Sequence, residues 1–276
     1  MDVLRIAAFS DGDSGGNPAG VVISDNLPND IEMQRIAAEL GYSETAFATP
    51  SGTSWRVRYF SPESEVPFCG HATIALGAAL ALQYGNGVFS LSLNQADITV
   101  EGRQDGTTIA AALQSPPTRS LPAPTEIVTA VLALFGYGHG DLDPRIPPAR
   151  IHAGAEHFLL CLKTRKALAS MKYDLNAGRD LMRRENLATI TLAYAETPQL
   201  FHTRNPFASG GVYEDPATGA ATAAFAGYLR DIGWPHKGNI NVVQGEDMGM
   251  RSCLRAEIQP AIGSSIRVSG TARIMS

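Results

Sequence analysis

The sequence predicts an α+β fold with two similar halves. Each half combines many short segments of strand character with one short helix that is apolar nearly all round. Such a helix must be buried, because it has no polar face to turn toward water. The first helix follows residues 68–73 and the second follows residues 214–220. Buried helices set among mostly antiparallel strands are typical of the α+β class.

Composition indicates an ordinary globular protein. The 276 residues are 44% hydrophobic and 18% charged, which suits one large core or two cores of about 130 residues each. The net charge of −5 argues against a nucleic-acid partner. Residues 1–5 lack the apolar core of a signal peptide, and no apolar run reaches the roughly 18 residues needed to span a membrane. We therefore expect a cytoplasmic protein with no nucleic-acid or membrane partner.

The cysteines agree with a reducing compartment. Cys69, Cys161 and Cys253 lie far apart in the chain and form no CxxC pair. Cysteine usage of this kind predicts neither a disulfide framework nor a zinc site.

The first half opens with a strand and a glycine-rich segment. Residues 14–20 are not followed by GK[ST], so we interpret them as a tight turn, with a substrate-contacting loop as the alternative. Asn29 or Asp30 caps a helix that ends at Gly41. Strands are predicted at 3–9, 21–23, 42–48, 55–60 and 91–93, with a hairpin joining 98–101 to 107–110.

A proline-rich connection at 114–124 separates the halves. We place one domain at 1–115, completed by the C-terminal strand at 265–276, and the second domain at 116–264. In the second, Thr125 is predicted to cap a helix that closes at Gly136. Shorter helices are predicted at 167–171 and 176–184, and strands at 151–162, 188–192, 200–204, 240–243, 254–258, 265–268 and 272–275.

Three polar side chains are candidates for proton transfer. Glu44 opens an otherwise apolar strand, and desolvation there would raise its pKa toward a useful range. His71 and Asp215 lie at the starts of the two apolar helices, whose unpaired N–H groups suit an anion. Each has a plainer interpretation: a solvated loop glutamate, a structural histidine and an N-cap aspartate.

Five segments resemble one family, the phenazine-biosynthesis isomerase-like (PhzF-like) proteins. In chain order they are Gly16-Asn17-Pro18, Ser43-Glu44-Thr45-Ala46-Phe47, Phe68-Cys69-Gly70-His71-Ala72-Thr73, Glu214-Asp215-Pro216-Ala217-Thr218-Gly219, and Gln244-Gly245 with Met248-Gly249. The resemblance implies the diaminopimelate-epimerase fold, in which each of two similar domains curves a sheet around a central helix. It also implies an isomerase that needs no cofactor or metal, acts on a small carboxylate-bearing molecule and forms a homodimer.

The resemblance also implies roles for particular residues. Glu44 matches the family's proton-shuttling glutamate, and His71 and Asp215 match the residues that flank the substrate. The substrate-binding positions that it implies are Asn17, Cys69, Gly70, Ala72, Thr218, Gly219 and Ala220. Backbone N–H groups at Gly70 and Gly219 match those that hold a carboxylate or an oxyanion.

One position departs from the isomerase that gives the family its name. That enzyme has serine directly after the Thr-Gly of the second motif, whereas this chain has Ala220. The missing hydroxyl removes a donor and an acceptor near the substrate. The phenazine precursor therefore does not follow from the resemblance.

Two other functions remain open on the sequence. A two-cysteine racemase needs a thiol on each face of the carbon, but Pro216 stands where the partner of Cys69 belongs. A one-base epimerase that uses Cys69 or Glu44, or a non-catalytic binder on the same fold, is also compatible. Because the two motifs are distant in the chain yet complementary, we expect them on opposite walls of one cleft.

Overall fold

The computed structural model describes residues 2–276, which form two compact units. The first unit runs to Gln114 and is joined by Ser269–Ser276, and the second is Ser115–Val268. The strands are β1 Leu4–Ser10, β2 Asn17–Ile23, β3 Thr45–Ser51, β4 Ser54–Phe60, β5 Glu65–Val66, β6 Gly87–Ser92, β7 Asp97–Asp105, β8 Thr108–Gln114, β9 Arg119–Pro122, β10 Ala149–His152, β11 Glu156–Leu162, β12 Thr189–Ala195, β13 Leu200–Phe207, β14 Val212–Asp215, β15 Asn239–Gln244, β16 Ser252–Glu257 and β17 Arg267–Ile274. The helices are α1 Asp30–Leu40, α2 Gly70–Tyr84, α3 Thr125–Phe135, α4 Arg165–Ala169, α5 Leu175–Arg184 and α6 Gly219–Asp231.

The first unit is a closed barrel of eight strands around α2. The strands follow the order β1, β2, β3, β4, β6, β7, β8 and β17, and β17 pairs back onto β1. The β2–β3 and β4–β6 pairs are parallel, and the β1–β2, β3–β4, β6–β7, β7–β8 and β17–β1 pairs are antiparallel. Helix α2 is buried from His71 to Ala81, as its apolar sequence predicts.

Small residues let α2 approach the barrel wall closely. A Cβ at Gly102 of β7 would lie 2.1 Å from the Gly77 carbonyl oxygen of α2, which is too close for any other residue. Helix α1 packs Met33 and Ile36 with Phe47 of β3 in a separate apolar cluster. The side chain of Asn29 accepts from the N–H of Glu32, and Gly41 is left-handed, so the predicted ends of α1 are confirmed.

The second unit repeats the plan with one sheet and a buried helix. Its strands are ordered β9, β10, β11, β12, β13, β15 and β16, with parallel pairs at β11–β12 and β13–β15. Helix α6 packs against β9, β10 and β16. Helices α3 and α5 join the apolar cluster of Phe158 and Leu160, whose side chains alternate along β11. The expected α+β fold with a central helix in each of two similar domains is confirmed.

Four local predictions are wrong in detail. The strand predicted at 151–162 is two strands, because Gly154 has a φ of +95° and turns the chain into a β10–β11 hairpin. The two strands predicted at 265–275 are the single strand β17. Asn17 lies in β2 rather than in a loop. Pro124 takes the N-cap of α3, and Thr125 is its first helical residue.

Candidate functional site

Glu44 and His71 form an acid–base pair at the start of α2. Glu44 lies just before β3, and His71 is the second residue of α2. The Glu44 Oε2 atom is 3.4 Å from His71 Nε2, and the two side chains are 12% and 6% exposed. Ser43 Oγ also lies 3.3 Å from the same nitrogen. The two side chains are therefore largely shielded from water, but a small part of their surface remains accessible to a small molecule.

The two groups attract each other only when a proton lies between them. Either Glu44 is a carboxylate facing a protonated Nε2, or it is a carboxylic acid facing a bare one. Both arrangements hold the same single proton, which lies on one partner or on the other.

Cys69 adjoins the same histidine without completing a metal centre. Each of Glu44, Cys69 and His71 offers a ligand atom, and these atoms lie within 4.8 Å of one another. The sulfur is 3.3 Å from Nδ1 and 3.9 Å from Nε2, so it lies beside the imidazole rather than along the lone pair of either nitrogen. Zinc needs its ligands about 2.0–2.3 Å away along those lone pairs. The three donors do not converge on such a point.

The start of α2 leaves its first N–H groups open to an anion. The N–H of Thr73 makes the first helical bond, to the Cys69 carbonyl, and the Cys69 side chain forms no capping hydrogen bond. By contrast, Asp174 caps α5 through a 2.8 Å bond from Ala177 N. The first turn of α2 also contains no acidic residue. Its positive end therefore remains available at Gly70 and Ala72.

A buried hydroxyl pair supports this turn. The Thr73 hydroxyl donates to the Cys69 carbonyl at 2.7 Å, so the Tyr59 hydroxyl must donate to Thr73 Oγ1, also at 2.7 Å. Burial raises the pKa of Tyr59 well above its usual value, so the phenol keeps its proton. These bonds tie the Cys69 carbonyl to the first turn of α2.

Asp215 lies at the end of β14, immediately before α6. It is 8% exposed, and the hydroxyl of Thr218 donates to its Oδ2 atom. Thr218, not Asp215, occupies the N-cap of α6, so the plainer interpretation of Asp215 as the cap is wrong. Thr218 makes no side-chain cap bond, and the first turn contains no acidic residue. The N–H groups at Gly219 and Ala220 therefore stay open to an anion, as at α2.

A buried ion pair fixes β14 on the face opposite to the Asp215 side chain. Arg204 of β13 bonds both carboxylate oxygens of Glu214, and the two side chains are 8% and 3% exposed. Arg204 also donates to the carbonyls of Ala169 and Met171. Because successive residues of a strand point to opposite faces, fixing Glu214 also fixes the direction of Asp215.

Cys161 is buried in β11, Cys253 is partly exposed in β16, and Asn17 is buried in β2. Burial raises the pKa of Cys161 in β11 to about 12, so this thiol is not a thiolate near neutral pH. Asn17 is 2% exposed and pairs with Ala8 in the β1–β2 ladder. In the first unit the structure thus gathers Glu44, Cys69 and His71, and in the second it gathers Asp215 and Thr218.

The sequence reasoning missed the residues that support these groups. Ser43, Tyr59 and Gln244 contact the site residues or their helix starts, yet none was assigned a role. Ser43 and Gln244 do stand inside recognised segments, which is the one signal that pointed to them. Tyr59 lies in an ordinary alternating strand and gave no signal.

A carboxyl group in contact with an imidazole beside an open helix start offers the groups that acid–base enzymes use. Comparison with known proteins agrees, since the family model described as phenazine biosynthesis-like protein matches residues 6–276. The chain belongs to this PhzF-like family. "Uncharacterized isomerase YddE" of Escherichia coli K12 is 31% identical over 99% of this chain and 96% of its own. A trans-2,3-dihydro-3-hydroxyanthranilate isomerase of Pseudomonas fluorescens is 30% identical over 92% of this chain and 89% of its own. The protein is an isomerase.

Solved structures support the fold. A PhzF-family protein of Bacillus anthracis has a TM-score of 0.86 at 22% identity, covering 100% of this chain and 98% of its own. A probable proline racemase of Agrobacterium radiobacter K84 has a TM-score of 0.66 at 12% identity, covering 99% and 91%. No helix within residues 2–276 is both long enough and apolar enough to cross a membrane.

Proposed function

We propose that the protein is a cofactor-independent isomerase that moves a proton between two carbons of a small carboxylate. Glu44 acts as the base that removes the first proton and as the acid that returns it to another carbon. The C–H bond breaks as its electrons move into the substrate, and the double bonds shift. A new C–H bond then forms with the proton from Glu44, so no oxidant or second reactant is needed.

The observation that carries this proposal is the Glu44–His71 pair. Its 3.4 Å separation and low exposure let one proton move between two groups out of bulk water. A base that must also act as an acid must hold the proton until it returns to the substrate. With Nε2 unprotonated, His71 accepts a hydrogen bond from the Glu44 acid and so stabilises the form that carries the substrate's proton.

We further propose that the open helix starts bind anionic groups of the substrate. The N–H groups at Gly70 and Ala72, or those at Gly219 and Ala220, would hold its carboxylate or the enolate-like oxygen that develops during proton removal. Asp215 would contact a polar group of the substrate.

The substrate is proposed only as a class. Trans-2,3-dihydro-3-hydroxyanthranilate, which relatives at 30% and 29% identity act on according to their names, is a carboxylate with mobile double bonds. Ala220 lacks the hydroxyl that the phenazine isomerase places there. We propose a related unsaturated or α-substituted acid that makes no hydrogen bond to this position.

Proton NMR in D₂O tests the proposal. Purified protein is incubated with trans-2,3-dihydro-3-hydroxyanthranilate and a panel of small acids that carry an acidic C–H. Wild type should exchange one C–H for deuterium, and Glu44→Gln should slow that exchange by about 10⁴-fold or more. Glu63→Gln, at an exposed glutamate, serves as the control and should exchange normally. An equal rate in Glu44→Gln removes Glu44 from the mechanism, and no exchange by wild type with any acid refutes the proposal.

A one-base epimerase is the second candidate. The Cys69 sulfur lies beside the His71 imidazole, so a second acid–base group adjoins the pair. In that reaction the proton returns to the same carbon, and the product is a stereoisomer instead of a shifted alkene. Chiral chromatography of the exchanged acid separates the two outcomes.

We also propose that the protein is cytoplasmic, as its cysteine usage indicates, and a homodimer, as its family resemblance implies. Light scattering during size-exclusion chromatography checks the dimer through a mass of twice 29.3 kDa. Cell fractionation checks the compartment. Elution at the monomer mass at micromolar concentration contradicts the dimer.

A further inference from the structure

Gln244 lies fully buried at the end of β15 and faces the Asp215–Thr218 turn. Its Nε2 group donates to the Asp215 carbonyl at 2.6 Å and to Thr218 Oγ1 at 3.0 Å. Its Oε1 atom accepts from the Thr218 N–H at 3.2 Å. One amide thus bonds the turn immediately before α6 at three points.

The partners determine the direction of every proton in this group. A backbone N–H only donates and a carbonyl only accepts, so the amide oxygen must face Thr218 N and the amide nitrogen must face Asp215. One of its two N–H bonds then points at the Thr218 hydroxyl oxygen. With that lone pair occupied, the hydroxyl proton is directed toward Asp215 Oδ2, as the contact shows. A charge-assisted bond of this kind stabilises the carboxylate.

We propose that Gln244 is a positioning residue for Asp215. It orients the Thr218 hydroxyl toward the carboxylate, and this bond holds the Asp215 side chain in place while the N–H groups of α6 stay open. The inference rests on the proposed function, because it assumes that Asp215 faces the substrate. Because Gln244 is fully buried, it acts on Asp215 through Thr218.

Buried polar side chains around Gln244 restrict the orientation of its amide. Asn205 Nδ2 and Thr203 Oγ1 approach its Oε1 atom at 3.5 Å, and Thr191 donates to Asn205 at 2.8 Å. Asn205 and Thr191 are 1% and 2% exposed. A buried amide costs free energy unless it is bonded, so a network this complete fixes one rotamer.

The backbone after Gln244 is fitted to the same turn. Gly245 has a φ of +73°, and a Cβ there would lie 2.8 Å from the Pro216 carbonyl oxygen and 2.3 Å from that of Met250. Only glycine allows the chain to pass so close. The end of β15 therefore lies directly against the 215–218 turn, which places the Gln244 side chain next to Thr218.

A double-mutant cycle tests the route from Gln244 through Thr218 to Asp215. The variants are Gln244→Met, which keeps the length without the amide, Thr218→Val, which removes the hydroxyl, and their combination. Carbon-13 NMR follows the titration of the Asp215 carboxyl in each, and thermal melting reports the fold. Ser252→Ala is the matched control, because Ser252 pairs with Gln244 in the β15–β16 ladder but its hydroxyl bonds only the Met250 carbonyl.

Each single variant should move the Asp215 titration midpoint to higher pH by about one unit, since it weakens a bond to the charged form. The double variant should move it no further than Thr218→Val alone, because both changes remove the same bond. Thr218→Ser should restore the wild-type midpoint, and Ser252→Ala should not shift it. If Gln244→Met does not fold, Gln244→Asn takes its place, because its shorter amide does not reach Thr218.

A Gln244→Met protein that melts earlier but titrates as wild type has lost only packing, and it refutes the proposal. Shifts that add in the double variant refute the route through Thr218. The measurement needs no substrate, so it stands apart from the exchange test of Glu44. A coupled shift without any C–H exchange in wild type would sink the proposed isomerisation while leaving the orientation of Asp215 established.

Discussion

The buried His157 makes the second unit sensitive to mild acid. This residue of β11 is 1% exposed, and its Nδ1 lies 2.8 Å from Thr189 Oγ1. Because the Thr189 hydroxyl donates onward to Asn205, the proton belongs on Nδ1, and Nε2 has no partner among the described residues. Burial, reinforced by His152, lowers the pKa of His157 from 6.5 to about 4, against a small opposing effect of Glu156.

The sign and size of the effect follow from linkage. Above pH 6.5 the histidine is neutral in both the folded and the unfolded protein, so folding releases no proton. Between pH 6.5 and 4 the unfolded chain binds a proton that the folded chain refuses, so stability falls as the pH falls. A shift of about 2.5 pKa units is worth about 3 kcal/mol at full extent, and about 2 kcal/mol of it is lost by pH 5.

Urea unfolding measures this loss. In a Trp55→Phe background, the fluorescence of Trp234 reports the unit that holds His157. Wild type and His157→Asn, whose amide nitrogen can replace Nδ1, are compared between pH 7.5 and 5. The stability of the wild type relative to the variant should fall by about 2 kcal/mol over that range. His139→Asn, at an exposed histidine, is the control. A wild-type-to-variant difference that stays constant with pH refutes the assignment of a neutral buried imidazole.

Two further changes test other parts of the structure. Thr45→Val should raise the free energy of unfolding by about 1 kcal/mol, because the Thr45 hydroxyl is fully buried without a hydrogen-bond partner within residues 2–276. Urea unfolding measures the change, and a midpoint lower than that of wild type contradicts the prediction. Cys69→Ala should keep C–H exchange within about tenfold of wild type, because Pro216 stands where a two-cysteine racemase has its second thiol and a buried cysteine often serves as a small apolar group. Complete loss of exchange with an unchanged melting temperature returns Cys69 to the mechanism.

The sequence by itself determined the local elements and the chemistry of the site. Asn29 and Gly41 marked the ends of α1 because capping depends on neighbouring residues alone. The apolar runs after Gly70 and Gly219 predicted the buried helices, because a helix without a polar face has nowhere else to lie. Motif residues such as Glu44 and His71 were recognisable because their type and order survive without any knowledge of distance.

Only the tertiary structure decided which residues act together. Glu44 is 27 positions from His71 and Gln244 is 26 from Thr218, so strand pairing and helix packing, not sequence spacing, bring them into contact. The same packing made Thr218, not Asp215, the N-cap of α6. Tertiary packing also buried His157, and the loss of water around the imidazole lowers its pKa. The extent of this burial cannot be read from the residue type.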